Sequence, residues 1–174
     1  MTGKTFINAV ANGQTDIVQL LLDILEETGA GYCIIGGLAV NAYAEPVVSL
    51  DLGLVVIASD IEKVCSSARS RGMKVEQYEH SINFSIRESD LRIQIQTDSR
   101  YQDFVSRAGC CEVLGYTMNV ACLDDVLQGK VLAYSDEQRR KSKRQKDLSD
   151  IMRLVEAHPD LRTKLPSDIL SLMD

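Results

Sequence analysis

The stretch IIGGLAVNAYAEPVVSLDLGLVV, residues 34–56, decides how this chain folds. Two apolar residues run into Gly36-Gly37, LAVNAYA leads to Pro46, and an apolar segment carries Asp51 and Gly53. The glycine pair reads as a turn from a short buried strand, 32–35, into a helix that ends before the proline. LDLGLVVI, residues 50–57, reads as the next strand. Its alternation puts Leu50, Leu52, Leu54 and Val56 on one face, and Asp51, Gly53 and Val55 on the other.

Each feature has a chemical use. Without Cβ atoms, a glycine pair lets the backbone come close to an anion, and the start of a following helix favours phosphate. Carboxylates at positions 51 and 53 would lie about 6.5–7 Å apart along the strand, a spacing suited to two divalent ions. Here position 53 offers a hydrogen atom instead, and a strand interior is a poor place for glycine.

Outward from this stretch, DIVQLLLDILEET at 16–28 has the period of an amphipathic helix closed by Gly29. Ser59 and Glu62 have capping-box spacing for a helix that reaches Arg71, before Gly72. Strands are expected near 74–78, 82–87 and 91–96. Ser99 and Gln102 repeat the capping-box spacing before YQDFVSRA, whose Tyr101, Phe104 and Val105 read as core. One extended stretch at 111–121 precedes helices at 124–134 and 143–157, with Pro159 stopping the second. One or two short helices fit the remainder. Strands mixed with helices, then helices alone, give an α+β chain. Residues 1–122 form its core, and 123–174 a C-terminal helical part packed on that core as one compact unit.

Composition narrows the function. The chain has 174 residues, 45% hydrophobic and 25% charged, within the range of globular proteins. No apolar run approaches the roughly 20 residues that span a bilayer, and the start does not read as a secretory leader. Five cysteines without a CxxC pair read as free thiols in a reducing cytoplasm, and offer little for zinc. With two histidines, a Ser-His or Cys-His catalytic device has little to draw on. The net charge of −6 argues against a general nucleic-acid coat. RRKSKRQK, residues 139–146, nevertheless concentrates six basic residues on an otherwise acidic chain.

Ile35-Gly36-Gly37, thirteen residues, then Asp51-Leu52-Gly53-Leu54 resembles the signature of the DNA polymerase beta–like nucleotidyltransferase superfamily. In its small bacterial branches, including the abortive-infection type, the glycine segment continues into Arg-x-Thr-x-Asp-x-Asp. Ser49 and Asp51 fit that pattern, whereas Val47 replaces the arginine and Gly53 the second aspartate. The resemblance places a third acid in LRIQIQTD at Gln94, on the face of Arg92 and Gln96 and opposite Leu91, Ile93 and Ile95. An amide brings no negative charge and cannot act as a general base.

The likeness extends to the C-terminal third. Lys130 matches a lysine offered by one helix, and Lys146, Asp147 and Asp150 match a Lys-Asp-x-x-Asp pattern on the next. Asp147 and Asp150 share a helix face. Lys130 and Lys146 are implied to address triphosphate oxygens, with Arg139, Arg140, Lys143 and Arg144 adding positive field. Taken alone, the run also fits a solvated face laced by Lys143–Asp147 and Lys146–Asp150 pairs.

The resemblance thus implies a nucleotidyltransferase-like mixed sheet flanked by helices. Gly36, Gly37, Ser49, Lys130, Lys146, Asp147 and Asp150 would hold a nucleotide, and Asp51 alone would hold metal. With Gly53 and Gln94 at the other acid stations, magnesium should bind weakly and transfer should be weak or absent. Two alternatives stay open. One is an active magnesium-dependent transferase that moves a nucleoside monophosphate to a hydroxyl, with acids imported at Asp147 or Asp150. The other is a non-catalytic module of a toxin–antitoxin or phage-defence pair. A nucleoside triphosphate is the expected ligand, with RNA or a partner protein as further candidates and no role for a membrane.

Overall fold

A computed structural model describes residues 2–174. The order is α1 (Gly3–Val10), α2 (Ile17–Thr28), β1 (Tyr32–Ile35), α3 (Gly36–Val40), β2 (Asp51–Val56), α4 (Ile61–Ser70), β3 (Lys74–Gln77), β4 (Ser81–Ser85) and β5 (Arg92–Gln96). There follow α5 (Phe104–Arg107), β6 (Gly109–Val113), β7 (Tyr116–Val120), α6 (Leu123–Ser135), α7 (Lys141–Ala157) and α8 (Ser167–Leu170). The strands form one seven-stranded sheet in the order β3-β4-β5-β2-β1-β7-β6. β1 runs antiparallel to β2 and parallel to β7, while β2 runs parallel to β5. This mixed sheet with flanking helices is the expected α+β architecture.

The alternation read from β2 sorts the sheet into two faces. Leu52 and Leu54 align with Ile93 and Ile95 of β5, and all four are buried. They share the core with Leu21, Ile24 and Leu25 of α2 and with Val64 and Ala68 of α4. On the opposite face Gly53 stands between Ile35 and Gln94, and Gln94 is next to Asn83 of β4. Both α6 and α7 pack on α3, and so sit beside this second face.

Several local expectations hold at their chemical cause. Gly29 closes α2 at φ 61°, while Asp16, read as the first helical residue, stands before the helix and caps it through the Gln19 amide. Tyr101 and Phe104 are buried, and Val105 packs against the core. Other expectations fail. The helix after the glycine pair ends at Val40 and gives way to turns through Ala44, and the Asn41 side chain makes two hydrogen bonds with the Val47 backbone. Neither capping box forms. Asp60 precedes α4 and accepts from the Gly31 amide, while Asp98 caps the 3-10 turn at 99–101. Gln102 instead spans to β2 and its loop, accepting from Ala58 N–H and donating to the Val56 carbonyl. The single extended stretch at 111–121 is a hairpin that turns at Leu114-Gly115, both with positive φ. Helix α1, capped by Thr2, had no counterpart in the sequence reading.

The three central glycines differ. Gly36 sits at φ +73°, where a side chain is strained, whereas Gly37 and Gly53 do not have positive φ. A Cβ at Gly53 would meet Ile35 Cγ1 at 3.4 Å, ordinary contact. Gly36→Ala should therefore cost about 1–2 kcal/mol through the backbone alone. Gly53→Ala should be neutral or stabilising by up to about 1 kcal/mol. Urea denaturation midpoints of the two variants test this contrast.

Candidate functional site

The face carrying Asp51 and Gly53 forms one wall of a cleft. Gly36, Gly37, Ser49, Asp51, Gly53 and Gln94 line the sheet side. Lys130 of α6 and Arg139, Lys143, Lys146 and Asp147 of the α6–α7 segment line the other. The structure thus brings most of the residues singled out by sequence into one place. Asp150 lies just behind, its Oδ2 3.9 Å from where a Gly37 Cβ would stand. The cleft has a volume of about 130 Å³, below the roughly 300–1,000 Å³ of small-molecule sites, because basic side chains occupy it. A wider groove of about 640 Å³ beside α2 and β7 has, among the described residues, Lys4 and Glu26 as its charged side chains.

Asp51 opens β2 and is engaged on both oxygens. Arg92, its neighbour in the parallel register, places Nη2 3.1 Å from Oδ1. Lys143 reaches across from α7 and donates to Oδ2 at 2.5 Å. Partial burial works to raise the Asp51 pKa, but the Lys143 hydrogen bond and the charges of Lys143, Arg92 and Lys146 outweigh it. Asp51 is therefore held below the ordinary aspartate value. One turn along α7, Lys146 donates to Ser49 Oγ at 2.9 Å. Burial first, then the nearby charge of Lys130, lowers the Lys146 pKa; Lys143 adds to this and Asp150 and Asp51 oppose it.

The two α7 carboxylates are engaged by other cations. Asp147, Asp150 and Lys130 are 1%, 4% and 7% exposed. Lys130 Nζ lies 3.0 Å from Asp147 Oδ1 and 2.7 Å from Asp150 Oδ2. The second approach is a charge contact without the alignment of a hydrogen bond. Arg139 Nε donates to Asp147 Oδ2, and Arg153 Nη1 to Asp150 Oδ1, both at 2.7 Å. Arg153 also binds the Asn41 side chain and the Glu45 carbonyl, tying α7 to the loop before β2. The i,i+4 pairs Lys143–Asp147 and Lys146–Asp150, one reading of the basic run, do not form: the lysines cross to β2 and its approach, and the aspartates turn to Lys130.

Two contributors escaped the sequence reading. Arg92 was placed on the correct face, but its pairing with Asp51 needs the parallel register of β2 and β5. Arg153 lies one helical turn beyond Asp150, and that i,i+3 spacing was its available signal. The anion site imagined at the helix after Gly36-Gly37 is also reduced. A five-residue helix has only a small dipole.

No family model and no curated protein matches the chain. Solved structures do. The antibiotic-resistance factor ANT(2'')-Ia superposes with a TM-score of 0.59 at 13% identity, over 90% of this chain and 86% of that one. The lincosamide antibiotic adenylyltransferase LnuA, in its lincomycin-bound form, gives 0.57 at 12% identity, over 82% and 98%. A nucleotidyltransferase-like protein from Paracoccidioides brasiliensis gives 0.55 at 16% identity, over 95% and 92%. At these identities the likeness establishes the fold: the chain has a nucleotidyltransferase-like fold.

Removing Lys130 would leave Asp147 and Asp150 buried with one cation each. Lys130→Ala should cost about 3 kcal/mol, at the low end for a broken buried pair because Arg139 and Arg153 remain. Chemical denaturation measures this. Asp51 carries a pH signature of the opposite kind. Its lowered pKa means that its pairing stabilises the fold above the unfolded aspartate value and is lost as pH falls through the folded one. The stability gap between the wild type and Asp51→Asn should therefore hold from neutral pH down to about 4 and close below it. Thermal melts across pH would show a gap already closed at pH about 5 if this assignment of charge is wrong.

Proposed function

We propose that this chain binds a nucleoside triphosphate in the Asp51 cleft and transfers little or none of it. One observation carries the reading: the row expected to gather carboxylates holds Asp51, Gly53 and Gln94, with both Asp51 oxygens already against cations. A two-ion phosphoryl-transfer site needs several anionic oxygens free to bind metal. This donor set does not fit one. Among the described residues no group of three His, Cys, Asp or Glu side chains is placed to hold a metal. Any magnesium at Asp51 would therefore be weakly held. Triphosphate binding is supported by the other wall, where Arg139, Lys143 and Lys146 line the same cleft as the glycine pair.

The motif resemblance further leads us to read the chain as a superfamily member of the small abortive-infection type, acting in the cytoplasm where its free thiols stay reduced. No helix among the described residues is long and apolar enough to cross a membrane. An active transferase is the second reading, favoured by the lincomycin-bound LnuA and by ANT(2'')-Ia in complex with adenylyl-2''-tobramycin. It would need imported acids, and the candidates Asp147 and Asp150 are buried against Lys130.

Melting curves with a panel of triphosphates, combined with transfer of an α-phosphate label, separate these readings. At a ligand concentration of about 100 times Kd, the melting temperature should rise by roughly 5–10 °C with negligible pyrophosphate release. Magnesium-dependent pyrophosphate release that disappears in Asp51→Ala would establish the transferase instead. Absence of any nucleotide effect, with a stable complex to a second chain, would make this a protein-binding module.

A further inference from the structure

We infer that the Lys143 ammonium serves as the built-in cation of this cleft, so that the ligand taken is a metal-free polyphosphate rather than a magnesium–nucleotide complex. The inference rests on the nucleotide-binding reading above and specifies the form of the ligand. Its basis is the misfit between the donor set and a divalent ion.

Lys143 Nζ lies 2.5 Å from Asp51 Oδ2. Magnesium binds oxygen at about 2.0–2.1 Å, so the ammonium fills the volume that an ion on that oxygen would need. The other oxygen faces Arg92. A metal ion arriving at Asp51 would have to displace one cation while remaining close to a second. Lys146, near Lys143 and bonded to Ser49, would add to the repulsion.

The same arrangement suits an uncomplexed anion. An ammonium has three donors, and Asp51 engages one of them on Lys143. Lys146 is a cation whose only hydrogen bond is to a hydroxyl, with no carboxylate salt bridge among the described residues. Over the whole cluster, Arg92, Lys130, Arg139, Lys143, Lys146 and Arg153 surround Asp51, Asp147 and Asp150, while Asp125, a further acid of the cleft lining, is paired with Arg107. Positive charge is in surplus where a metal site needs negative charge in surplus. A triphosphate without magnesium is more anionic than its magnesium complex and matches that surplus better. Lys143 can keep its contact with Asp51 and bridge to phosphate, as a metal ion bridges carboxylate and phosphate in a competent enzyme.

The test is calorimetric titration of the full chain with ATP, in EDTA and then in magnesium, followed by tripolyphosphate in EDTA. ATP should bind the wild type about tenfold more tightly in EDTA than in excess magnesium, and equal affinity in the two conditions would overturn the inference. Lys143→Ala should weaken binding in EDTA by about tenfold, and Lys143→Arg, which keeps the charge, by no more than about threefold. Binding that requires magnesium would overturn this inference and leave the nucleotide reading standing. So would a folded Lys143→Ala protein that binds in EDTA as tightly as the wild type. If no nucleotide binds, tripolyphosphate decides: a Lys143-dependent heat upholds the inference and removes the nucleotide reading, whereas no heat removes both. The wild-type comparison requires no variant, so a misfolded substitution cannot obscure the result.

Discussion

Lys130, buried between Asp147 and Asp150, is the contact on which the rest of the cleft depends. It joins α6 and α7 through charge in a region nearly closed to water, where an unmatched ion is costly and a matched one fixes geometry. Arg139 and Arg153 complete the matching from either side. With its aspartates so engaged, α7 presents a different set of residues to the sheet. Lys143 and Lys146 are left without partners on their own helix, and both find them across the cleft. The ion pairs inside the helical layer thereby determine which charges face β2.

The sheet supplies the complementary half. Asp51 is anchored by its strand, but its charge is shared between a residue of the adjacent strand and one of the distant helix. A carboxylate in that position acts as a tie between layers. The arrangement is self-consistent without any ion. Lys143, which neutralises one Asp51 oxygen, also lines the cleft.

Much of this was legible in sequence because it rests on short-range regularities. The period of α2 and its Gly29 stop lie within a few residues of one another. The alternation of LDLGLVV and LRIQIQ placed Leu52, Leu54, Ile93 and Ile95 in the core and Asp51, Gly53 and Gln94 on the cleft side, because a strand has only two faces; at the strand ends it failed, with Leu50 exposed and Val55 fully buried. The spacing from Gly36-Gly37 to Asp51 indicated the fold. What could not be read was long-range pairing. Nothing local shows that Arg92 sits beside Asp51, or that Lys143 prefers Asp51 to Asp147 four residues along its own helix. The capping box at Ser99 and Gln102 fails for the same cause, with tertiary partners outcompeting local ones: Gln102 is drawn to the Val56 and Ala58 backbone of another element. The glycine after Leu114 was the missed local sign of a hairpin.

The placement of β1 has a consequence for assembly of the chain. This strand sits between β2, which follows it closely, and β7, which begins at Tyr116. As the polypeptide leaves the ribosome, one side of β1 can be satisfied early, but its other side must wait for most of the chain. Until then an apolar strand presents an open edge, the kind of surface that recruits other unfinished molecules. Closure of the sheet by the β6–β7 hairpin is therefore a late, long-range event, and non-local pairing of this kind slows folding.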